Sequence, residues 1–141
     1  SDRFGKLYQE QLELIKEYLV RYFQNSDVSM TKDAYYEMCE QLGTEPIDSE
    51  VPIEISDFPE LIQVCLLIYS KLKDNWDPTV GKYLGKDYTI VFELFDLYSV
   101  DTVDERIMLL DVMQIIDNTR IVISADKVKA ELSKQNSKKP R

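Results

Sequence analysis

The chain has 141 residues, of which 44% are hydrophobic and 30% charged, so it is apolar enough to bury a core and too apolar for a disordered chain. Histidine is absent, which excludes Ser-His-Asp and Cys-His nucleophiles, histidine metal sites and histidine acid–base catalysis. The 17 basic and 26 acidic residues give a formal net charge of −9, and a nucleic-acid backbone would repel such a surface.

The first half of the chain predicts three helices. Residues 4–23 place apolar side chains three and four positions apart, which is the pattern of an amphipathic helix. Thr31 is a typical N-cap for a second helix, which ends at Gly43 in the left-handed capping position. The helical pattern breaks down over residues 44–56, and residues 45–52 are predicted to be extended because of their prolines. Residues 57–73 then form a helix with Asp57 as its predicted N-cap. This helix is apolar nearly all round, which predicts a central, buried position.

Residues 74–86 are predicted to form a loop that carries the only tryptophan, Trp76. Its Gly81-Lys82 and Gly85-Lys86 pairs could let backbone amides approach a phosphate. Their spacing, however, matches neither the Walker motif nor the dinucleotide motif. A structured connection in which Trp76 and Tyr83 pack on the bundle is therefore the favoured interpretation.

The second half predicts three further helical segments, at residues 88–100, 102–118 and 124–132. Thr102 and Glu105 form a predicted capping box at the start of the second of these. Residues 88–92 also have strand propensity, and residues 121–123 form a short run that is either β-prone or helical. Helix is favoured over residues 88–100 because the following residues do not alternate between apolar and polar.

These patterns predict an all-α fold, a single compact bundle of five to six helices over residues 1–132. A basic, flexible tail follows at residues 133–141. Residues 127–141 carry six basic residues and one acidic residue, so +5, which leaves −14 on the rest of the chain. A solvated terminus is favoured over an anchor for nucleic acid. The predicted core consists of Leu12, Ile15, Leu19, Met38, Leu61, Val64, Cys65, Ile68, Leu94, Phe95, Ile107, Leu110 and Met113.

Cys39 and Cys65 are the only cysteines, and each lies in an apolar helical pattern. Without histidine or a C-x-x-C motif they cannot form a zinc site of the usual kind, so reduced core thiols are expected. The longest uninterrupted apolar run, residues 64–69, is far short of a membrane span. We therefore expect a cytoplasmic protein with no membrane contact and no cofactor.

Two pairs of carboxylates suggest an alternative, catalytic function. Glu37-x-x-Glu40 and Glu93-x-x-Asp96 have the spacing with which facing helices bind Mg²⁺. All-helical nucleotide pyrophosphatases of the MazG kind use a similar-looking Glu-x-x-Glu followed by Glu-x-x-Asp. This resemblance implies magnesium-dependent nucleotide hydrolysis at these four residues. The two pairs are farther apart here than in that family, and acidic pairs also arise on solvated helix faces.

Aromatic residues favour a different function. Tyr36, Tyr83 and Tyr88 do not fit the core phase of the predicted helices, and tryptophan and tyrosine often anchor protein interfaces. The sequence therefore predicts a non-catalytic, acidic, helical protein–protein interaction module. Its partner is expected to be another protein or a second copy, as in a homodimer. The predicted contact residues are Tyr22, Phe23, Trp76, Tyr83 and Tyr88.

The segment Trp76-Asp77-Pro78 through Gly81-Lys82-Tyr83-Leu84-Gly85-Lys86-Asp87, followed by an acidic and aromatic helix, resembles small uncharacterised proteins of tailed bacteriophages. The resemblance covers about a quarter of the chain and includes no catalytic residue. It implies at most an accessory or regulatory role, in the cytoplasm of the host cell.

Overall fold

The computed structural model describes residues 2–25 and 30–138, and the chain divides into two compact units, Ser1–Gln63 and Val64–Arg141. The described residues form five α-helices and one two-stranded antiparallel sheet. The predicted predominance of helix is confirmed, but the sheet departs from the all-α prediction. Within the two described ranges, no helix is both long and apolar enough to cross a membrane.

The first unit contains α1 (Asp2–Gln24) and α2 (Lys32–Leu42). Helix α2 begins as predicted, because the Thr31 hydroxyl oxygen accepts a hydrogen bond from the Ala34 amide at 3.1 Å. It ends as predicted at Gly43, whose φ of 67° is the left-handed conformation that glycine adopts without strain.

The connection after α2 is mostly extended, as predicted, with single 3₁₀ turns at Asp48–Glu50 and Ile55–Asp57. Arg21 of α1 holds this connection. Its Nη2 atom donates to the backbone oxygens of Asp48 and Val51, at 3.0 Å each. A single long side chain thus binds the carbonyl oxygens at both ends of the first 3₁₀ turn.

Helix α3 (Glu60–Lys71) begins three residues after Asp57, its predicted cap. The Asp57 carboxylate instead accepts from the Glu54 amide at 2.8 Å, within the preceding 3₁₀ turn. The first helical bonds go to the Pro59 carbonyl, which accepts from the Gln63 amide at 3.0 Å. The prediction of an N-cap at Asp57 is therefore wrong, although the helix itself is confirmed.

The second unit contains a β-hairpin where the sequence predicts a loop. Strands β1 (Lys73–Trp76) and β2 (Tyr83–Asp87) pair antiparallel, with Trp76 opposite Tyr83. Leu84 is an extra residue on β2, so the register shifts by one position beside Trp76. Both strands are short and lack apolar alternation, which is why periodicity does not reveal them.

The hairpin turn follows from local sequence chemistry. The Asp77 carboxylate accepts from the Thr79 amide at 2.8 Å, and the Asp77 carbonyl accepts from the Gly81 amide at 2.8 Å. Pro78 suits the first turn position, and Gly81 adopts a φ of 72°, which favours glycine.

Helices α4 (Val91–Leu97) and α5 (Val103–Lys138) complete the second unit, and β2 packs against α5. The strand alternative for residues 88–92 is wrong, because α4 begins at Val91. The predicted cap of α5 is confirmed: the Thr102 hydroxyl oxygen accepts from the Glu105 amide at 3.1 Å.

Helix α5 is one continuous helix where the sequence predicts separate pieces. It runs through residues 121–123 and through residues 133–138, six of the nine residues of the predicted flexible tail. Residues 139–141 lie outside the described residues. The helix continues past the β-branched run because local propensity is a weak force beside tertiary packing.

The buried core confirms half of the predicted core residues and corrects two of them. Met38 and Ile107 are exposed rather than buried. On α2 the buried residues are Tyr35 and Cys39, so Met38 points away from them. On α5 the buried face carries residues 109, 112, 113 and 116, which places Ile107 on the opposite face. The confirmed residues are Leu12, Leu19, Cys65, Ile68, Phe95 and Met113, and the half-buried ones are Ile15, Leu61, Val64, Leu94 and Leu110.

Candidate functional site

Asp117 of α5 is a buried carboxylate surrounded by three tyrosines of the second unit. Only 8% of the residue is exposed. Its Oδ1 atom accepts from the Tyr69 hydroxyl at 2.5 Å and lies 3.3 Å from the Tyr83 hydroxyl. Its Oδ2 atom accepts from the Tyr88 hydroxyl at 2.6 Å. The Lys86 amide approaches both oxygens, at 3.2 and 3.3 Å. Both oxygens thus have donors from the protein itself, which is what a buried carboxylate requires.

A second carboxylate, Asp74 of β1, closes the cluster from the hairpin side. Its Oδ1 atom lies 2.9 Å from Lys86 Nζ and 3.0 Å from Arg120 Nη1. The Tyr83 hydroxyl is also 3.0 Å from this oxygen. Asp74, Lys86 and Arg120 therefore form a partly buried charged group in which the two cations outnumber the carboxylate, and Asp117 balances the charge.

Arg120 and Lys86 also contact the aromatic rings of the cluster. Arg120 Nη1 donates to the hydroxyls of Tyr69 at 3.1 Å and Tyr83 at 3.0 Å. Its guanidinium lies 4.0 Å from the centre of the Tyr83 ring, and Lys86 Nζ lies 4.8 Å from that of Tyr69. Lys86 Nζ further donates to the Leu72 carbonyl at 2.8 Å. We call these seven residues the tyrosine–aspartate network: Tyr69, Asp74, Tyr83, Lys86, Tyr88, Asp117 and Arg120.

Protonation in the network follows from burial and from these bonds. Burial raises the pKa of Tyr69, Tyr83 and Tyr88 above the usual value for tyrosine, and for Tyr69 and Tyr88 the bond to Asp117 adds to it. Burial also acts to raise the pKa of Asp74, but the bonds from Lys86 and Arg120 outweigh it and lower that pKa. The hydroxyls are therefore protonated donors at neutral pH, and the ion pairs with Asp74 persist.

Gly85 brings β2 close to Asp117. Its φ is 106°, and a Cβ atom at this position would lie 3.2 Å from Asp117 Oδ2.

We expect Gly85→Ala to lower the free energy of unfolding by about 1–3 kcal/mol, because the alanine backbone is strained at this positive φ and its Cβ atom displaces the Asp117 carboxylate. Chemical denaturation measures the loss. Gly43→Ala is a control for backbone strain alone, since φ is also positive there and nothing lies within 4 Å. An equal loss in both variants would show that close approach to Asp117 contributes nothing.

Trp76 lies on the outer side of this network. Its ring contacts that of Tyr83 edge-on, with 5.0 Å between centroids. Tyr83 is 1% exposed, whereas Trp76 is 51% exposed. The hairpin also exposes Val80 and Leu84. Tyr83 is fixed through its hydroxyl and through its backbone amide, which donates to Ser124 Oγ at 2.8 Å. It therefore holds the Trp76 side chain in place at the surface.

The predicted contact residues fall into different environments. Of the two residues that the sequence favours packing on the bundle, Tyr83 is buried but Trp76 is exposed, and Tyr88 is half-buried with its hydroxyl on Asp117. The hydroxyls of Tyr83 and Tyr88 contact Asp117, which lies far along the sequence. The spacing of apolar residues within a helix cannot predict such a contact. In the first unit, Tyr22 and Phe23 are half-buried, and their rings meet edge-on with 5.1 Å between centroids. The Tyr22 ring also meets the Phe58 ring edge-on, with 5.9 Å between centroids.

The carboxylates of the catalytic alternative are all exposed: Glu37, Glu40, Glu93 and Asp96. Asp96 forms an ion pair with Arg106. Across residues 2–25 and 30–138, no three histidine, cysteine or acidic side chains come together as a group that could hold a metal ion. The two cysteines are unpaired and buried, and burial raises the pKa of the Cys65 thiol to about 12. A thiol with so high a pKa is a poor nucleophile.

Sequence reasoning missed Asp117, Asp74 and Arg120. Asp117 could have been noticed, because it lies on the apolar face of α5 next to Ile116 and four residues after Met113. Comparisons with protein-family models, with curated proteins and with solved structures give no match to this chain.

Proposed function

We propose that the protein is a non-catalytic interaction module whose contact element is the β-hairpin at residues 73–87. The observation that carries the proposal is a half-exposed tryptophan on a hairpin that partly buried ion pairs and hydrogen bonds fix in place. Tryptophan is among the residues that contribute most to protein interfaces. A contact surface that is already ordered loses little conformational entropy on binding.

The network supports presentation of the hairpin rather than chemistry. Both oxygens of Asp117 are occupied by donors from the protein, and Lys86 and Arg120 are paired with Asp74. A catalytic carboxylate needs a free oxygen facing the substrate. Tyr83 and Tyr88, predicted as contact residues, act in this proposal as supports that hold the hairpin against α5.

The partner is expected to be a protein with an apolar pocket that accepts the indole ring. Trp76, Val80 and Leu84 are all exposed on the hairpin. The remaining charged side chains there, such as Lys73 and Asp87, oppose each other across the strands. The hairpin has three basic and three acidic residues, which cancel, so its exposed apolar side chains favour an apolar contact over nucleic acid. The buried, unpaired thiols fit a role in the reducing cytoplasm.

Photo-crosslinking tests the proposal. We expect a photoreactive phenylalanine analogue at position 76 to cross-link a discrete protein in extracts of the source cells. The same analogue at Leu14 of α1, which is 61% exposed, is the matched control and should not give that product. Excess unlabelled wild type should abolish the product. The proposal is wrong if position 76 gives no product, or only those that position 14 gives.

A further inference from the structure

The outer face of α5 carries a continuous line of side chains that is distinct from the hairpin. Starting at Val103, the line steps every three or four residues through positions 107, 110, 114, 118, 121, 125, 128 and 132, away from the buried face at residues 109, 112, 113 and 116. All of these positions are apolar except Gln114 and Asn118 at the centre. Val103 is 71% exposed, and Ile107 and Leu132 are each 51% exposed. We call this line the α5 stripe, and its larger apolar members are Val103, Ile107, Leu110, Ile121, Val128 and Leu132.

The middle of the stripe is an open groove. Leu110, Gln114, Asn118 and Ile121 line it together with Tyr88 and Asp117 of the tyrosine–aspartate network, and its volume is about 330 Å³. Toward the end of the helix, residues 129–137 are all exposed. A helical segment of this length is marginal in water unless its apolar side packs on something.

Charge along α5 is divided between its two ends. Residues 101–111 contain four acidic residues and one basic residue, which gives −3. Residues 127–138 contain four basic residues and one acidic residue, which gives +3. A second α5 lying antiparallel would place each basic end on an acidic end, whereas a parallel one would bring like charges together.

We infer that the α5 stripe binds a second copy of this chain, antiparallel, about a two-fold axis beside Asn118. In that arrangement Val103 and Ile107 of one copy lie opposite Leu132 and Val128 of the second copy. The same stripe serves both chains, as a two-fold interface requires. The Asn118 residues of the two copies meet near the axis. A polar residue at one position of an otherwise apolar seam fixes the register of paired helices.

Light scattering coupled to gel filtration tests this inference on the full chain. We expect a mass of twice 16.5 kDa. Ile107→Glu and Val128→Glu should each shift the protein to 16.5 kDa, because each inserts a carboxylate from both copies into the apolar seam. Both residues lie on the outer face of the folded monomer, so circular dichroism should be unchanged. Two variants are controls that should remain dimeric: Leu14→Glu, at an exposed position of α1, and Trp76→Ala on the hairpin.

Orientation is tested separately by charge exchange and by cross-linking. Lys129→Glu should weaken the dimer by about ten-fold or more, and adding Asp104→Lys should restore it. Chains with Val103→Cys and chains with Leu132→Cys should cross-link through a short bismaleimide when mixed but not separately, since Cys39 and Cys65 are buried. A monomeric wild type at about 100 µM, or a dimer indifferent to both glutamate variants, overturns the inference. Cross-linking of the Val103→Cys chain with itself overturns the antiparallel arrangement.

Discussion

Replacing Asp117 by alanine should lower the free energy of unfolding by about 3–5 kcal/mol. The change removes the carboxylate that accepts from the buried Tyr69 hydroxyl and from the Lys86 amide, and with it the negative charge that balances Arg120. Each unsatisfied buried group costs about 1–3 kcal/mol. Chemical denaturation followed by circular dichroism gives the value.

Asp126→Ala is the matched control for this substitution. Asp126 lies on the same helix but is exposed, so its replacement should change stability by no more than about 0.5 kcal/mol. Asp117→Asn tests the same hydrogen bonds, because the asparagine amide nitrogen would face the tyrosine hydroxyls and cannot accept hydrogen bonds from them. If Asp117→Ala costs no more than Asp126→Ala, the tyrosine–aspartate network does not hold the hairpin.

Stability should fall steeply as the pH rises above the usual tyrosine pKa of 10.0. The folded pKa values of Tyr69, Tyr83 and Tyr88 are raised, so the unfolded state loses these protons first. The stabilisation is complete below the unfolded pKa and is lost as the pH climbs toward the folded one. Each fully buried tyrosine contributes up to about 1.4 kcal/mol per pH unit, and the half-buried Tyr88 less. We expect a slope of about 3 kcal/mol per pH unit.

Urea denaturation between roughly pH 8 and pH 11 measures this slope. Tyr69→Phe should reduce it by about 1.4 kcal/mol per pH unit, since one proton is removed from the linkage. Tyr36→Phe, at an exposed position on α2, serves as the control and should leave the slope as in the wild type. A wild-type slope that Tyr69→Phe does not alter would contradict the assignment of buried, hydrogen-bonded hydroxyls.

The sequence predicts the helices of this fold better than its hairpin. Helix α2 carries its own start signal in Thr31 and its own stop signal in Gly43. Thr102 is the start signal of α5. The hairpin has comparable signals only in its turn, at Asp77-Pro78 and Gly81, because its strands are held by polar contacts to α3 and α5. Such contacts join residues distant in sequence, and no local pattern encodes them.

The candidate site divides in the same way. The sequence favours packing of both Trp76 and Tyr83 on the bundle, and only Tyr83 is buried. The burial of Tyr83 depends on Asp117 and Arg120, which lie 34 and 37 positions further along the chain. One buried aspartate among 26 acidic residues has no distinctive neighbour pattern. Its position on the apolar face of α5 is the one local sign of it.

Competition for the cross-linked partner at position 76 tests the central claim most directly. We expect Trp76→Ala to require about 30-fold more protein than wild type for the same loss of cross-link, as expected for a tryptophan worth about 2 kcal/mol in an interface. Trp76→Phe, which keeps an aromatic ring against Tyr83, should lose less. Leu14→Ala should compete like wild type. If folded Trp76→Ala competes as well as wild type, the hairpin is not the contact element.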